Sequence, residues 1–124
     1  MAAMAGSLPR DLRLRLDLAA QLVLGSAAPV CVHVIDLSTR GAFVETDAAA
    51  QPGASAQLRC ELSEGELRLD AVVVREGSSL RDAVHPELDA LVVRVPGVGL
   101  RFVSLRKGER LRLAALLRQV RREG

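Results

Sequence analysis

The sequence predicts a mainly β protein, a small six- or seven-stranded antiparallel β-barrel followed by one C-terminal α-helix. Three observations carry that reading. From Leu12 the chain alternates strictly, with Leu12, Leu14, Leu16 and Leu18 on one face and Arg13, Arg15 and Asp17 on the other, as a half-buried strand does. Short apolar runs then recur between turn-forming clusters through most of the chain. Near the C-terminus the period changes, and Leu113, Leu116, Leu117 and Val120 fall at helical spacing. The 124 residues suffice for one domain with a real core. Residues 1–9 read as a flexible leader and 10–124 as that single domain.

The first strand continues through Leu22 to Leu24, and Gly25-Ser26-Ala27-Ala28-Pro29 is a turn. Val30 to Ile35 is a second apolar strand, Asp36 to Gly41 a polar turn, and Ala42 to Thr46 a third strand. Ala48 to Ala54 is a loop containing Pro and Gly. Ser55 to Leu62 alternates again as a fourth strand, and Ser63-Glu64-Gly65 makes a hairpin turn into a fifth, Leu67 to Arg75. Gly77 to Glu87 reads as a mobile loop, after which Ala90 to Val95 and Val98 to Val103 pair around Pro96-Gly97. The helix spans about 108–122, with Glu109 near its start and Arg118, Arg121 and Arg122 near its end, matching the helix dipole.

Composition excludes several functions. Seventeen basic against 15 acidic residues leave a formal charge of +2, too little for a dedicated duplex-DNA binder. No Trp or Tyr is present, so a stacking platform for single-stranded nucleic acid is missing. The arginines of the last segment (Arg110, Arg112, Arg118, Arg121, Arg122) read as a solvated helix face. Leu18 to Ile35 carries no Asp, Glu, Lys or Arg, but Gln21, Gly25, Pro29 and His33 interrupt it and its apolar positions alternate, unlike a spanning helix. Ser26-Ala27-Ala28 resembles a signal-peptide cleavage site, yet Asp17 sits within the run that would precede it, so a cytoplasmic location is expected. Cys31, His33, Cys60 and His85 lack the paired short spacing of a structural zinc site. No positioned acid–base pair, nucleophile or phosphate loop is visible, which argues against an enzyme and against a metal or other cofactor.

Two features are chemically specific. Arg10, Arg13 and Arg15 cluster at the start of the first strand, and sixteen of the seventeen basic residues are arginine. Asp36-Leu37-Ser38-Thr39-Arg40-Gly41 follows the second strand. Arginines fork to phosphates and stack on purines, an Asp accepts guanine N–H groups, and a Gly permits close backbone approach. The set suits a guanine nucleotide. The same residues also read as an Asx or Ser turn beside a solvated edge strand.

The segment Asp36-Leu37-Ser38-Thr39-Arg40-Gly41-Ala42-Phe43-Val44 resembles the DxSxxG stretch of PilZ domains. Its placement is similar too: an arginine-bearing start, two strands, this turn, a meander, Gly97-Val98-Gly99-Leu100-Arg101-Phe102 and a terminal helix. The resemblance implies a six-stranded barrel that binds cyclic di-GMP through Asp36, Ser38, Gly41 and the arginines. It also implies a relay to an effector protein, through ordering of the N-terminal arginine segment. The apolar stripe of the last helix can pack on its own barrel or on a second copy, a monomer or homodimer, and the composition leads to no expectation of a nucleic-acid or membrane partner. The family's RxxxR pair places its second arginine at Arg13 and its first at Pro9, with Arg10 displaced by one residue. The alternative is an adaptor of the same fold that binds proteins and no nucleotide, with Gly77–Glu87 and the outer helix face as its surfaces.

Overall fold

Strand β1 (Leu14–Leu24) lies in the alternating leucine run. Ala20 and Leu22 are buried, and Leu16 and Leu18 pack on the same core. The computed structural model describes residues 14–85 and 87–123 and continues with β2 (Val30–Leu37), β3 (Gly41–Glu45), β4 (Ser55–Leu62), β5 (Gly65–His85), β6 (Leu88–Phe102) and α1 (Lys107–Glu123). The strands pair antiparallel in the order β1-β2-β3-β6-β5-β4. Pairing of Gln21–Leu24 with Ala56–Arg59 closes the ring, so the barrel wall itself has no open edge. The expected mainly β barrel therefore has six strands, each delivering alternate side chains inward.

The interior is aliphatic. Leu22, Val34, Val44, Leu58, Leu69 and Val98 are fully buried in one cluster, and α1 adds Leu113 and Leu116 to it. Two devices fix the helix. The Arg106 N–H donates to the Glu109 carboxylate at 2.8 Å, half of a capping box. The Arg112 guanidinium donates to the carbonyls of Gly65 (2.9 Å) and Glu66 (3.0 Å), tethering the helix to the start of β5. Gly65 supports that hairpin with a φ of 117°, a conformation natural to glycine. Among the described residues no helix is long and apolar enough to cross a membrane, and Leu18–Ile35 is part of two strands and their turn.

The long hairpin corrects the sequence reading. The fifth strand does not stop at Arg75, and Gly77 to His85, most of the expected loop, is strand; β5 runs on to His85, paired with a β6 that passes unbroken through Pro96-Gly97. Local composition made Pro96-Gly97 look like a turn, but tertiary packing gives both residues another use. Pro96 stands opposite Ser78 where β6 has just outrun β3, whose last paired residue is Glu45. The Pro96 carbonyl accepts from the Thr46 N–H at 3.2 Å, so its nitrogen also faces away from β5 and no bond to that strand is lost. At Gly97, a Cβ would lie 2.0 Å from the Val44 carbonyl oxygen and 2.7 Å from the Phe43 ring. The glycine answers a close approach.

Beyond the barrel this two-stranded ribbon is anchored by a second, smaller cluster: Ile35, Phe43 and Val95 are buried together with Val93 packed against them. An ion pair between Arg81 of the ribbon and Glu45 of β3, at 2.9 Å, adds a polar tie. The polar turn is also shorter than expected. Asp36 and Leu37 belong to β2, Gly41 opens β3, and Ser38–Arg40 alone connect them.

Candidate functional site

In β2, Val32 and Val34 face the barrel interior, and simple alternation would point Asp36 inward as well. The structure prevents this. Val34 pairs with Val44 and Asp36 with Phe43, so Ile35 is an extra residue that shifts the register. Such a bulge re-aims the residues after it. Leu37 returns to the core, while Asp36 stands beside Phe43, whose neighbours Ala42 and Val44 both point inward. Asp36 thus reaches the outer face, half-buried, with Oδ1 shielded from solvent.

A second bulge acts in β5. Val73 faces the core opposite Leu100, and the register then shifts so that Arg75 pairs with Gly99. Arg75 emerges on the outside with its guanidinium over the Phe43 ring, 4.9 Å from the centroid, a cation–π arrangement. The two shifts, with a third in β1 between Arg15 and Leu18, set one cross-strand row of paired positions: Arg15 opposite Asp36, Asp36 opposite Phe43, Phe43 opposite Gly99, and Gly99 opposite Arg75.

The three residues of the turn motif have separable parts. Ser38 is buried at 4% exposure, and its Oγ accepts from the N–H groups of Arg40 (3.1 Å) and Gly41 (3.2 Å). The Ser38 N–H donates to the Gly41 carbonyl at 2.9 Å, closing the turn from the other side. Gly41 pairs with Arg101, and a Cβ there would sit 2.0 Å from the Leu100 carbonyl oxygen. Ser38 and Gly41 therefore hold the turn against β6, leaving Asp36 and the exposed Arg40 to face outward chemistry. The Arg40 carbonyl accepts from the Phe102 N–H at 2.7 Å, fixing the backbone from which that side chain projects.

Of the predicted arginines, Arg10 and Arg13 lie outside the described residues. Arg15 is described in its backbone, which β1 places directly opposite Asp36. Sequence reasoning missed Arg75 and Arg101, both exposed on the same outer wall, because strand neighbours across β3, β6 and β5 are set by register alone. The arrangement offers a carboxylate among arginines on an open surface, suited to an anion that also carries N–H donors. It offers no nucleophile beside a base. Among the described residues no group of three or more His, Cys, Asp or Glu could hold a metal. Cys31 is exposed whereas Cys60 points into the core, where burial pushes its thiol up to about 11. A separate groove of about 500 Å³ runs between α1 and β1, lined in part by Leu16, Glu64, Arg112 and Val120, and shares no residue with the Asp36 row.

Comparison with known proteins gives a consistent result. The family model described as PilZ domain matches residues 8–119. No curated protein matches the sequence. Solved structures with similar folds include the PilZ domain of YcgR from Escherichia coli with cyclic di-GMP, at 18% identity and a TM-score of 0.66, covering 94% of each chain. The PilZ domain of CeSA from a cellulose-synthesizing bacterium is 17% identical with a TM-score of 0.61, over 89% of this chain and 98% of that one. The motility inhibitor MotI/DgrA of Bacillus subtilis is 18% identical with a TM-score of 0.61, over 91% of this chain and 51% of its own. At these identities the likeness is one of fold.

Proposed function

The chain belongs to the PilZ domain family, and from that premise we propose that it is a cytoplasmic receptor for cyclic di-GMP that passes the signal to an effector protein. One observation supports the proposal: the β1 register makes Arg15 the cross-strand partner of Asp36, so a residue of the arginine-bearing start and the carboxylate of the turn motif occupy neighbouring strand positions. The ligand bound to the similar YcgR domain is of the class this face suits.

In this reading Asp36 accepts the ring and amino N–H groups of a guanine. Arg10, Arg13 and Arg15 fork to the phosphates, each charge-assisted contact contributing about 1.5–3 kcal/mol. Ser38 and Gly41 act one step back, holding the turn so that Asp36 and Arg40 keep their directions. Binding draws the Arg10–Arg15 segment around the nucleotide and alters the surface offered to the effector. The protein works by binding and catalyses nothing. Isothermal titration with cyclic di-GMP tests this directly, and silence at high micromolar ligand with the chain folded overturns it.

A second reading has its own support. Ser38 and Gly41 are both required by the fold, since one closes the turn and the other admits the Leu100 carbonyl. The motif would therefore persist in a domain that binds only proteins, and Pro9 interrupts the arginine pair. Effector binding that is equal with and without nucleotide favours that reading.

A further inference from the structure

Three glycines face the same patch of outer wall, and their absent side chains have a single consequence. A Cβ at Gly99 would meet Cγ of Arg75 at 3.0 Å, one at Gly77 would meet its guanidinium nitrogen at 3.1 Å, and one at Gly97 would meet the Phe43 ring at 2.7 Å. They clear a lane across β5 and β6 in which the Arg75 side chain lies flat, backed by Phe43. The ring is 1% exposed and so offers no face of its own to solvent. The other phenylalanine, Phe102, is buried in the barrel core, and the chain has no Tyr or Trp. Among the described residues the wall thus presents no Phe face to a flat group, and the exposed guanidinium of Arg75 is the plane held against the buried ring.

That plane is built for the task. Guanidinium is planar, weakly hydrated, and stacks on aromatic systems, with one side here on Phe43 and the other open. Among the described residues its one other partner is the Ser78 carbonyl, at a long 3.5 Å. It stands on the Asp36 row with only β3 and β6 between them.

We propose that Arg75 is the stacking floor of the nucleotide site, the residue that makes it select purine bases, with Phe43 and the glycines 77, 97 and 99 as its mount. The inference rests on the cyclic di-GMP reading above and adds to it the residue that distinguishes one cyclic dinucleotide from another. A charge-only contact would treat Arg and Lys alike; a stacking plane does not, because ammonium has no plane.

The test is titration of the wild type, Arg75→Lys and Gly99→Ala with cyclic di-GMP and cyclic di-UMP, alongside thermal melts. The expected result is a loss of at least tenfold in cyclic di-GMP affinity in Arg75→Lys, with the weaker cyclic di-UMP affinity unchanged and melting preserved. Gly99→Ala leaves Arg75 in place chemically but crowds its stem, and should show the same selective loss. Equal losses for both ligands, or cyclic di-GMP binding in Arg75→Lys within twofold of wild type, overturn the stacking role while leaving the receptor reading intact. No binding by the wild type overturns both.

Discussion

Asp36 and Arg75 lie on one cross-strand row of the outer wall, and each is there because the strand register shifts by one residue just before it. Without the extra residues Ile35 and Val74, alternation would direct both charged side chains into an aliphatic barrel, where an unpaired charge is costly. Two independent shifts thus bring a carboxylate and a guanidinium to bear on the same surface, with the Phe43 ring between them.

Asp36→Ala should weaken cyclic di-GMP binding at least tenfold in calorimetric titration, since a charge-assisted contact contributes about 1.5–3 kcal/mol. Melting should change little, because the carboxylate is outside the core. A variant that binds as tightly as the wild type would remove Asp36 from the site.

Glycine replacements should separate sharply. Gly41→Ala and Gly97→Ala each force a Cβ to within 2.0 Å of a backbone carbonyl oxygen, so both should lose roughly 2–4 kcal/mol in urea unfolding as strands move apart. Gly108→Ala meets nothing within 4 Å and lies in the helix, and should instead gain about 0.5–1 kcal/mol. Equal stability across the three would contradict the close approaches.

Ser38→Ala removes the acceptor for two part-buried N–H groups at the turn, and a fully buried donor left unmet costs about 1–3 kcal/mol, which is the upper bound for each. The expected signature is coupled: lower stability together with weaker nucleotide binding, because Asp36 and Arg40 flank the loosened turn. Weaker binding at unchanged stability would instead make Ser38 a direct ligand contact.

Alkaline pH should act through Cys60. Its thiol titrates near 9.0 when the chain is unfolded and is pushed up to about 11 in the fold by burial, so the native state holds the proton more tightly. Stability is full below the unfolded value and declines as pH rises from about 9 towards 11, by up to roughly 1.4 kcal/mol per pH unit. The chain has no Tyr and a single Lys to obscure the effect. Urea unfolding across that window should show the decline in the wild type and a flatter profile in Cys60→Val. A thiol reagent at neutral pH should modify the exposed Cys31 and leave Cys60 untouched until unfolding.

The ribbon should open apart from the barrel. Val95→Ala thins the small cluster with Ile35 and Phe43, and hydrogen exchange should quicken from Ser78 to Arg81 while Leu58 and Leu69 stay protected. Uniform acceleration would mean that ribbon and barrel unfold as one unit.

Much of this molecule is legible without coordinates. The leucine alternation of β1, the Ser55–Leu62 strand and the helical spacing of Leu113, Leu116, Leu117 and Val120 are periodic patterns, and a pattern that buries one face leaves little choice of structure. Those local signals determine the mainly β class, most element positions and the candidate status of Asp36, Ser38 and Gly41. Pro96-Gly97 misleads because its meaning lies across the sheet, in the end of β3 and the Phe43 ring, which no local window contains. Arg75 hides for the same reason: a single-residue shift at Val74 decides whether it faces core or solvent, and register is settled only when strands from distant parts of the chain pair. The sequence by itself determined which segments are strands and which residues could bind an anion. Tertiary structure alone decided which of them share a wall, because cross-strand neighbours are chosen by pairing and bulges.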